Sequence, residues 1–165
     1  MSTAASFDAF SEVPQRGDAR SLRVRHRASA VPAARRELLE DLAGRVDADL
    51  GSEAAVVVSE LLGNAVRHAA PLDGPGAGAA GGVGELHATV LLRWQLRAGT
   101  VDIEVTDGGA RGEVRPLRPA PYSTNGRGLR IVRSIAHEWG VIDEPDGRRT
   151  VWAAVGGPTR RRRRV

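Results

Sequence analysis

The sequence predicts one α+β domain, a two-layer α/β sandwich in which helices cover one face of a mixed, mostly antiparallel β-sheet. Segments in which apolar and polar residues alternate, as in half-buried strands, are interspersed with three segments of helical periodicity. Their order is strand, helix, helix, strand, strand, helix, strand, strand. A chain of 165 residues suits one domain with a substantial core.

The composition excludes several kinds of chemistry. The chain has no cysteine, which rules out disulfides, zinc–cysteine clusters and thiol catalysis. All 24 basic residues are arginine, so no step can depend on a lysine. No apolar run approaches the roughly 20 residues of a membrane span, and the first residues do not resemble a secretory signal. We therefore expect a cytoplasmic protein.

Positive charge is concentrated at the C-terminus. Without the five consecutive arginines of Arg160–Arg164, the net charge of +4 falls to −1. We predict that residues 157–165 form a disordered tail that aids solubility, the alternative being non-specific contact with nucleic acid or an acidic partner. Residues 1–20 are predicted to form a flexible arm, and residues 21–156 the folded domain.

The first half of this domain is predicted to contain one strand and two helices. Residues 21–29 alternate as a strand does, and a helix opens at Pro32. A second helix covers residues 52–69, with Ser52 as its N-cap. A Gly-rich insertion follows at residues 71–84.

The second half is predicted to contain two hairpins that flank a third helix. Strands join at Ala98-Gly99, and a long loop covers residues 108–125. The helix extends over residues 126–140, with Gly140 as its stop. The last two strands form a hairpin across Asp146-Gly147.

One side of the second helix is unusually rich in functional groups. Its apolar side is expected to pack in the core and comprises Val58, Leu62, Ala65 and Ala69. The opposite side carries Glu60, Asn64, Arg67 and His68. Glu60 and Asn64 are i, i+4 neighbours, so an amide oxygen that suits a hard cation lies beside a carboxylate that can act as a base. Taken alone, this helix is better interpreted as a solvated face.

Two further motifs are individually weak. "VTDGG" ends a strand with Asp107, whose carboxylate can accept a hydrogen bond from an exocyclic amine, but Asp-Gly-Gly is also ordinary turn chemistry. "GRGLRIV" opens a helix with two glycines, where free N–H groups favour phosphate. The latter is neither a P-loop nor a Rossmann fingerprint.

In combination and in this order, the three motifs resemble those of the GHKL (Bergerat-fold) ATP-binding superfamily. The closest resemblance is to small anti-sigma-factor serine/threonine kinases and their single-domain actinobacterial relatives. "SELLGNAVRHA" is similar to their N box, "VTDGG" to their first glycine box and "GRGLRIV" to their second. The similarity covers roughly residues 20 to 155, and it implies ATP and Mg²⁺ as cofactors.

The resemblance implies a role for each matching residue. Asn64 would ligate Mg²⁺, and Glu60 would be the general base. Asp107 would bind the adenine amino group with support from Thr150, and Gly109 would allow the ring to approach. His68 and Arg67 would lie near the phosphates, and residues 108–125 would form the ATP lid. The phosphate end would be shaped by Gly126, Gly128 and Leu129.

The resemblance also implies partners. A kinase of this kind would phosphorylate an anti-sigma antagonist, sequester a sigma factor and form a homodimer. The alternative is a nucleotide-binding interaction module with little or no kinase activity. It is motivated by the first glycine box, in which Arg111 stands where the family pattern Asp-x-Gly-x-Gly has its second glycine. A sensor histidine kinase is disfavoured because the chain has no helix pair with a phosphoacceptor histidine.

Overall fold

The structure, a computed structural model, describes residues 10–12, 19–72, 88–109 and 127–157. The secondary-structure elements of these residues, in chain order, are β1 (Phe10–Glu12), β2 (Ala19–Arg25), α1 (Val31–Leu42), α2 (Ala48–His68), β3 (Thr89–Arg97), β4 (Thr100–Asp107), α3 (Arg127–Ile135), β5 (Glu138–Asp143) and β6 (Arg149–Gly156).

The strands form one six-stranded sheet in the order β1-β2-β3-β4-β6-β5. Every pairing in the described part is antiparallel. The α+β fold class is confirmed, although the predicted mixed sheet has only antiparallel pairs among the described residues. Both predicted hairpins are present. Ala98 and Gly99 have φ of 45° and 79°, which is typical of a tight two-residue hairpin turn.

The core lies between the sheet and α1, α2 and α3. Every residue of the predicted apolar stripe of α2 is buried, so that prediction is confirmed. On the sheet, Leu22, Leu92 and Val105 lie in one cross-strand row and are buried beneath the helices. Arg93 and Glu104 pair on the other face, which no described helix covers, and they are exposed at 47% and 45%.

The predicted start of α2 is wrong by four residues. The helix begins at Ala48, and its N-cap is Asp47, whose Oδ1 accepts the Leu50 N–H at 2.7 Å. Ser52 therefore lies inside the helix. An Asp N-cap and a Ser N-cap are about equally favourable, so local sequence alone did not distinguish them.

The predicted end of α3 is also wrong. The helix ends at Ile135, and β5 has already begun at Glu138, so Gly140 lies in a strand. A Cβ at Gly140 would lie 2.8 Å from Nε1 of Trp152 on the neighbouring strand. The glycine is therefore explained by the indole ring that covers it, since a larger residue would displace the ring.

The C-terminal end of α2 is held in place by His26. The His26 Nε2 lies 3.1 Å from the Ala65 carbonyl oxygen and 3.0 Å from that of Ala69. Because both partners can only accept, Nε2 must carry the hydrogen. This contact fixes the last turn of α2 relative to β2, and with it the position of the polar side of the helix.

Some predicted segments lie partly or wholly outside the described residues. The predicted N-terminal arm contributes β1 and the first two residues of β2, and its other residues are not described. Pro71 and Leu72, the first residues of the predicted insertion, are described. The rest of that insertion, most of the lid, and the tail beyond Gly157 are not. No helix in the described ranges combines the length and apolar character needed to cross a membrane.

Candidate functional site

One half of the candidate site lies where α3 begins against the polar side of α2. Gly128 is buried there, and a Cβ on it would lie 2.6 Å from Glu60 Oε2 and 3.0 Å from Asn64 Oδ1. Glycine therefore lets the α3 backbone approach both side chains closely. The structure brings together Glu60, the predicted general base, Asn64, the predicted Mg²⁺ ligand, and Gly128, one of the residues predicted to shape the phosphate end.

The beginning of α3 supplies a favourable electrostatic environment for anions. The first backbone N–H groups of a helix have no partner within the helix, and its dipole is positive at this end. Leu129 packs against the core and anchors this turn. Gly126, the other predicted glycine of this motif, lies outside the described residues.

The predicted metal ligand already has a partner on its own helix. Arg67 Nη2 donates to Asn64 Oδ1 at 3.1 Å. The Arg67 guanidinium also lies over Gly63, where a Cβ would be 3.2 Å from Nη1. Arg67 and His68 are exposed, whereas Glu60 and Asn64 are half-buried. The polar side of α2 is thus partly packed and is not simply a solvated face.

The other half of the site is the end of β4, where Asp107 continues the buried side of the strand. Val101, Ile103 and Val105 precede it on the same side, and Asp107 is only 4% exposed. No other polar or charged residue in the described ranges is buried to this degree. Its Oδ1 accepts the Gly109 N–H at 2.7 Å, while Oδ2 has no hydrogen-bond partner among the described residues. A carboxylate oxygen is thus available to a ligand.

Burial is the main cause of an unusual Asp107 pKa. It raises the pKa of Asp107 from 3.8 to about 6, against the opposing effects of the Gly109 N–H and the Arg149 charge. The Asp143 carboxylate adds a smaller upward contribution. At neutral pH the side chain is therefore mainly ionised and acts as an acceptor, but it becomes protonated only slightly below that pH.

Thr150, predicted to support Asp107, is paired with Thr106 in the sheet. The register places Thr150 opposite Thr106, and their hydroxyl oxygens are 2.8 Å apart. Since successive residues of a strand face opposite sides, this pair lies on the other side of the sheet from Asp107. The residue opposite Asp107 is Arg149, which also binds Asp143 at 2.6 Å. A direct role of Thr150 in nucleotide binding stays a prediction.

Two backbone hydrogen bonds join the halves of the site. The Ala70 N–H donates to the Gly109 carbonyl at 2.9 Å, and the Gly108 N–H donates to the Ala70 carbonyl at 2.8 Å. A Cβ on Gly108 would collide with the Pro71 carbonyl oxygen, and one on Gly109 with that of Gly147. Gly109 also has φ of 79°. Both glycines are thus required by the fold itself, independently of any contact with a ring.

The donor groups of the α2 face fit a magnesium ion. An amide oxygen and a carboxylate, both hard ligands, lie side by side at Asn64 and Glu60. The described ranges contain no group of three or more His, Cys, Asp or Glu residues that could hold a metal ion by themselves. The pair of oxygens from Asn64 and Glu60 suits Mg²⁺, which usually binds one or two protein oxygens together with water and substrate phosphates.

Sequence reasoning missed Arg149 and Gly63. Arg149 could be found only with the exact register of β4 and β6, because a shift of one residue places another side chain opposite Asp107. Gly63 did carry a signal, since glycine in a helix interior is unfavourable and calls for a local reason. The buried side of β4 also signalled Asp107, the one carboxylate in an otherwise apolar alternation.

Comparison with known proteins agrees with this geometry. No curated protein matches the chain significantly. The family model described as "Histidine kinase-like ATPase domain" matches residues 18–154, which includes both halves of the site and the whole sheet except β1 and the end of β6. This chain belongs to the histidine kinase-like ATPase domain family and is an ATP-binding protein of the GHKL type.

Proposed function

We propose that this ATP-binding domain is a cytoplasmic serine/threonine protein kinase of the anti-sigma-factor type. In this proposal it phosphorylates an anti-sigma antagonist and sequesters a sigma factor. The observation that supports it best is the convergence of Glu60 Oε2 and Asn64 Oδ1 on Gly128 at the start of α3. A base, a cation ligand and a helix N-terminus that favours phosphate are thereby adjacent, as phosphoryl transfer requires.

The proposed reaction uses the protein mainly for positioning. Glu60 accepts the proton of a substrate serine hydroxyl, whose oxygen forms a bond to the γ-phosphorus of ATP. The bond between that phosphorus and the β,γ-bridging oxygen breaks, and ADP leaves. Asn64 would hold Mg²⁺, which would supply neutralisation of the charge on the phosphates. Asp107 accepts a hydrogen bond from the adenine amino group and so sets the register of the nucleotide.

Calorimetric titration of ATP with and without Mg²⁺ tests the first part of this proposal. We expect tighter binding with Mg²⁺ and loss of that difference in Asn64→Ala. GTP is the matched ligand, because it presents a carbonyl oxygen where adenine presents its amino group. Equal affinity for ATP and GTP would contradict the assignment of Asp107.

Transfer from radiolabelled ATP to candidate antagonist proteins tests the kinase step. Glu60→Gln keeps the size of the side chain but removes the base, so we expect transfer to fall by about 10²-fold or more while ATP affinity changes little. Transfer that persists in Glu60→Gln would show that Glu60 is not the base. Co-elution with a candidate sigma factor, and light scattering of the free protein, test the partner and the proposed homodimer.

The second candidate is a nucleotide-binding interaction module with little or no kinase activity. The contact between Arg67 and Asn64 Oδ1 favours it, because this arginine occupies the atom that a productive Mg²⁺ would need. Tight Mg-ATP binding without transfer to any antagonist, and unchanged in Glu60→Gln, would support this candidate over the kinase.

A further inference from the structure

We infer that Arg67 is a positioning residue that competes with the divalent cation for Asn64 Oδ1. The guanidinium is hydrogen-bonded to this amide oxygen in the structure and must leave before the cation can bind. A higher Mg²⁺ concentration is therefore needed for nucleotide binding than would be needed if Arg67 did not contact Asn64. This inference rests on the proposed assignment of Asn64 as the Mg²⁺ ligand.

The contact that carries the inference is directional. Arg67 Nη2 donates to Oδ1 of Asn64 at 3.1 Å, and the two residues are i, i+3 neighbours on α2. No second side-chain donor to Oδ1 occurs among the described residues. Asn64 Oδ1, which the family resemblance assigns to Mg²⁺, is thus hydrogen-bonded to the positively charged Arg67 side chain.

The Arg67 guanidinium lies directly over Gly63. The three atoms nearest to a Cβ at this position all belong to the Arg67 guanidinium, at 3.2, 3.3 and 3.5 Å. A glycine inside a helix lowers its stability relative to alanine, so its presence calls for a local cause. An alanine here would make the guanidinium shift by a few tenths of an ångström, so the glycine favours the observed contact.

The guanidinium also has a place to go. A cavity of about 270 Å³ lies between the start of α1 and the middle of α2, and Arg67 and Gly63 both line it, together with Arg35 and Val66. This cavity offers space beside Gly63 for the Arg67 side chain when it leaves Asn64. Its exposed position keeps the cost of that rotation small.

Charge determines the direction of the effect. A guanidinium and Mg²⁺ cannot share one amide oxygen at close range, because two positive charges in contact repel each other. Removal of Arg67 should therefore strengthen cation binding. A phosphate-binding arginine would behave in the opposite way, since its removal would weaken nucleotide binding with or without Mg²⁺.

The experiment is a calorimetric titration of a non-hydrolysable ATP analogue at a series of Mg²⁺ concentrations. It compares the wild type, Arg67→Ala and the control Arg97→Ala, which removes an exposed arginine at the opposite end of β4 from Asp107. For Arg67→Ala we expect the Mg²⁺ concentration at the midpoint to fall about threefold to tenfold. In EDTA the affinity should stay within about twofold of the wild type. Arg97→Ala should change neither quantity.

Gly63→Ala is an independent variant that keeps the arginine. Its Cβ pushes the guanidinium away from Asn64, so the Mg²⁺ midpoint should fall in the same direction, while the melting temperature should rise because alanine favours the helix. In the Asn64→Ala background, Arg67→Ala should have no effect, as expected of a residue that acts through Asn64.

The outcomes separate this inference from the proposed function. An unchanged or raised midpoint in Arg67→Ala, or weaker binding in EDTA, would overturn the inference while the nucleotide site stands. Wild-type protein that binds the analogue equally well with and without Mg²⁺ would instead overturn the assignment of Asn64, and this inference with it.

Discussion

The two halves of the site are built in different ways. One half is the end of the site at which adenine is expected to bind, which we call the base end. There Asp107 is buried at the end of a strand, and Gly108 and Gly109 are hydrogen-bonded to Ala70 and lie close to backbone atoms. At the phosphate end, Glu60 and Asn64 are half-buried side chains on one helix, and Arg67 is exposed. The base end is therefore preformed, whereas the phosphate end is set by side chains that can change rotamer.

This difference teaches where each half is vulnerable. An added Cβ at the base end meets backbone carbonyl oxygens, which cannot yield without moving a strand or a turn. An added Cβ at the phosphate end meets the tips of side chains, which can rotate away. The same substitution, glycine to alanine, should accordingly destabilise the protein in one half and mainly alter binding in the other.

The largest expected effect is that of Gly109→Ala. The new Cβ collides with the Gly147 carbonyl oxygen, and the backbone at φ 79° is unfavourable for alanine. We expect a loss of about 3 kcal/mol or more in the free energy of unfolding, measured by urea denaturation. Gly44→Ala is the matched control, because Gly44 has φ of 72° but no atom within 4 Å of the added Cβ. An equal loss in both variants would mean that the contact with Gly147 contributes nothing.

The next largest effect concerns the ionisation of Asp107. Its pKa is raised from 3.8 to about 6 by burial, so ionisation in the folded state opposes folding. Its contribution to stability is complete below pH 3.8 and is lost as the pH rises through about 6. The free energy of unfolding of the wild type, relative to Asp107→Asn, should fall by up to about 3 kcal/mol between pH 4 and 7.5.

The same variant should weaken ligand binding. Asp107→Asn lacks the carboxylate acceptor, so ATP affinity at pH 7.5 should fall by about tenfold to a hundredfold, although the unliganded protein is more stable. As the pH falls below about 6, ATP affinity should decrease more steeply in the wild type than in Asp107→Asn, in which only the titration of the phosphates contributes. Parallel pH profiles for the two proteins would contradict the assignment.

Gly128→Ala should have a smaller effect on stability. Its Cβ would lie 2.6 Å from Glu60 Oε2 and 3.0 Å from Asn64 Oδ1, but both are ends of side chains that can rotate. Alanine also favours the helix, so we expect a net change within about 1 kcal/mol in the free energy of unfolding. Mg-ATP affinity should nevertheless fall, because the two oxygens are displaced. A loss of stability as large as that of Gly109→Ala would refute the distinction between the halves.

The smallest effect is expected for Thr150→Val. It removes the hydroxyl that lies 2.8 Å from Thr106 Oγ1, at a cost of about 1 kcal/mol in the free energy of unfolding. Since this pair lies on the other side of the sheet from Asp107, ATP affinity should change by less than about twofold. A large loss of ATP affinity would show that Thr150 takes part in nucleotide binding.

The fold class and the order of the motifs could be predicted from the sequence. The period of apolar residues on α2 and the alternation on β4 survive in the structure because each side of these elements packs against one surface. The apposition of Gly128 with Glu60 and Asn64 could be expected only from the combination of motifs, since no single motif specifies how α3 meets α2.

The details that the sequence did not specify depend on single-residue choices. Register decides whether Thr150 or Arg149 lies beside Asp107, and a shift of one residue reverses the answer. The start of α2 depended on a choice between Asp47 and Ser52, two caps of similar strength. The reason for Gly140 is the indole ring of Trp152 on the neighbouring strand, and no local sequence pattern reveals that contact.

The hydrogen bonds around the Gly-rich segment have a consequence for engineering. The Leu72 N–H donates to the Thr89 carbonyl at 2.8 Å, and the Ala88 carbonyl accepts the His26 N–H at 2.7 Å. Leu72 and Ala88, the described residues on either side of this segment, are thus both held beside the first residue of β3. Doubling the length of such a connection costs only about 0.6 kcal/mol in closure entropy. We expect an inserted reporter domain to be tolerated between Leu72 and Ala88, because the residues at both ends of this segment are hydrogen-bonded to the fold.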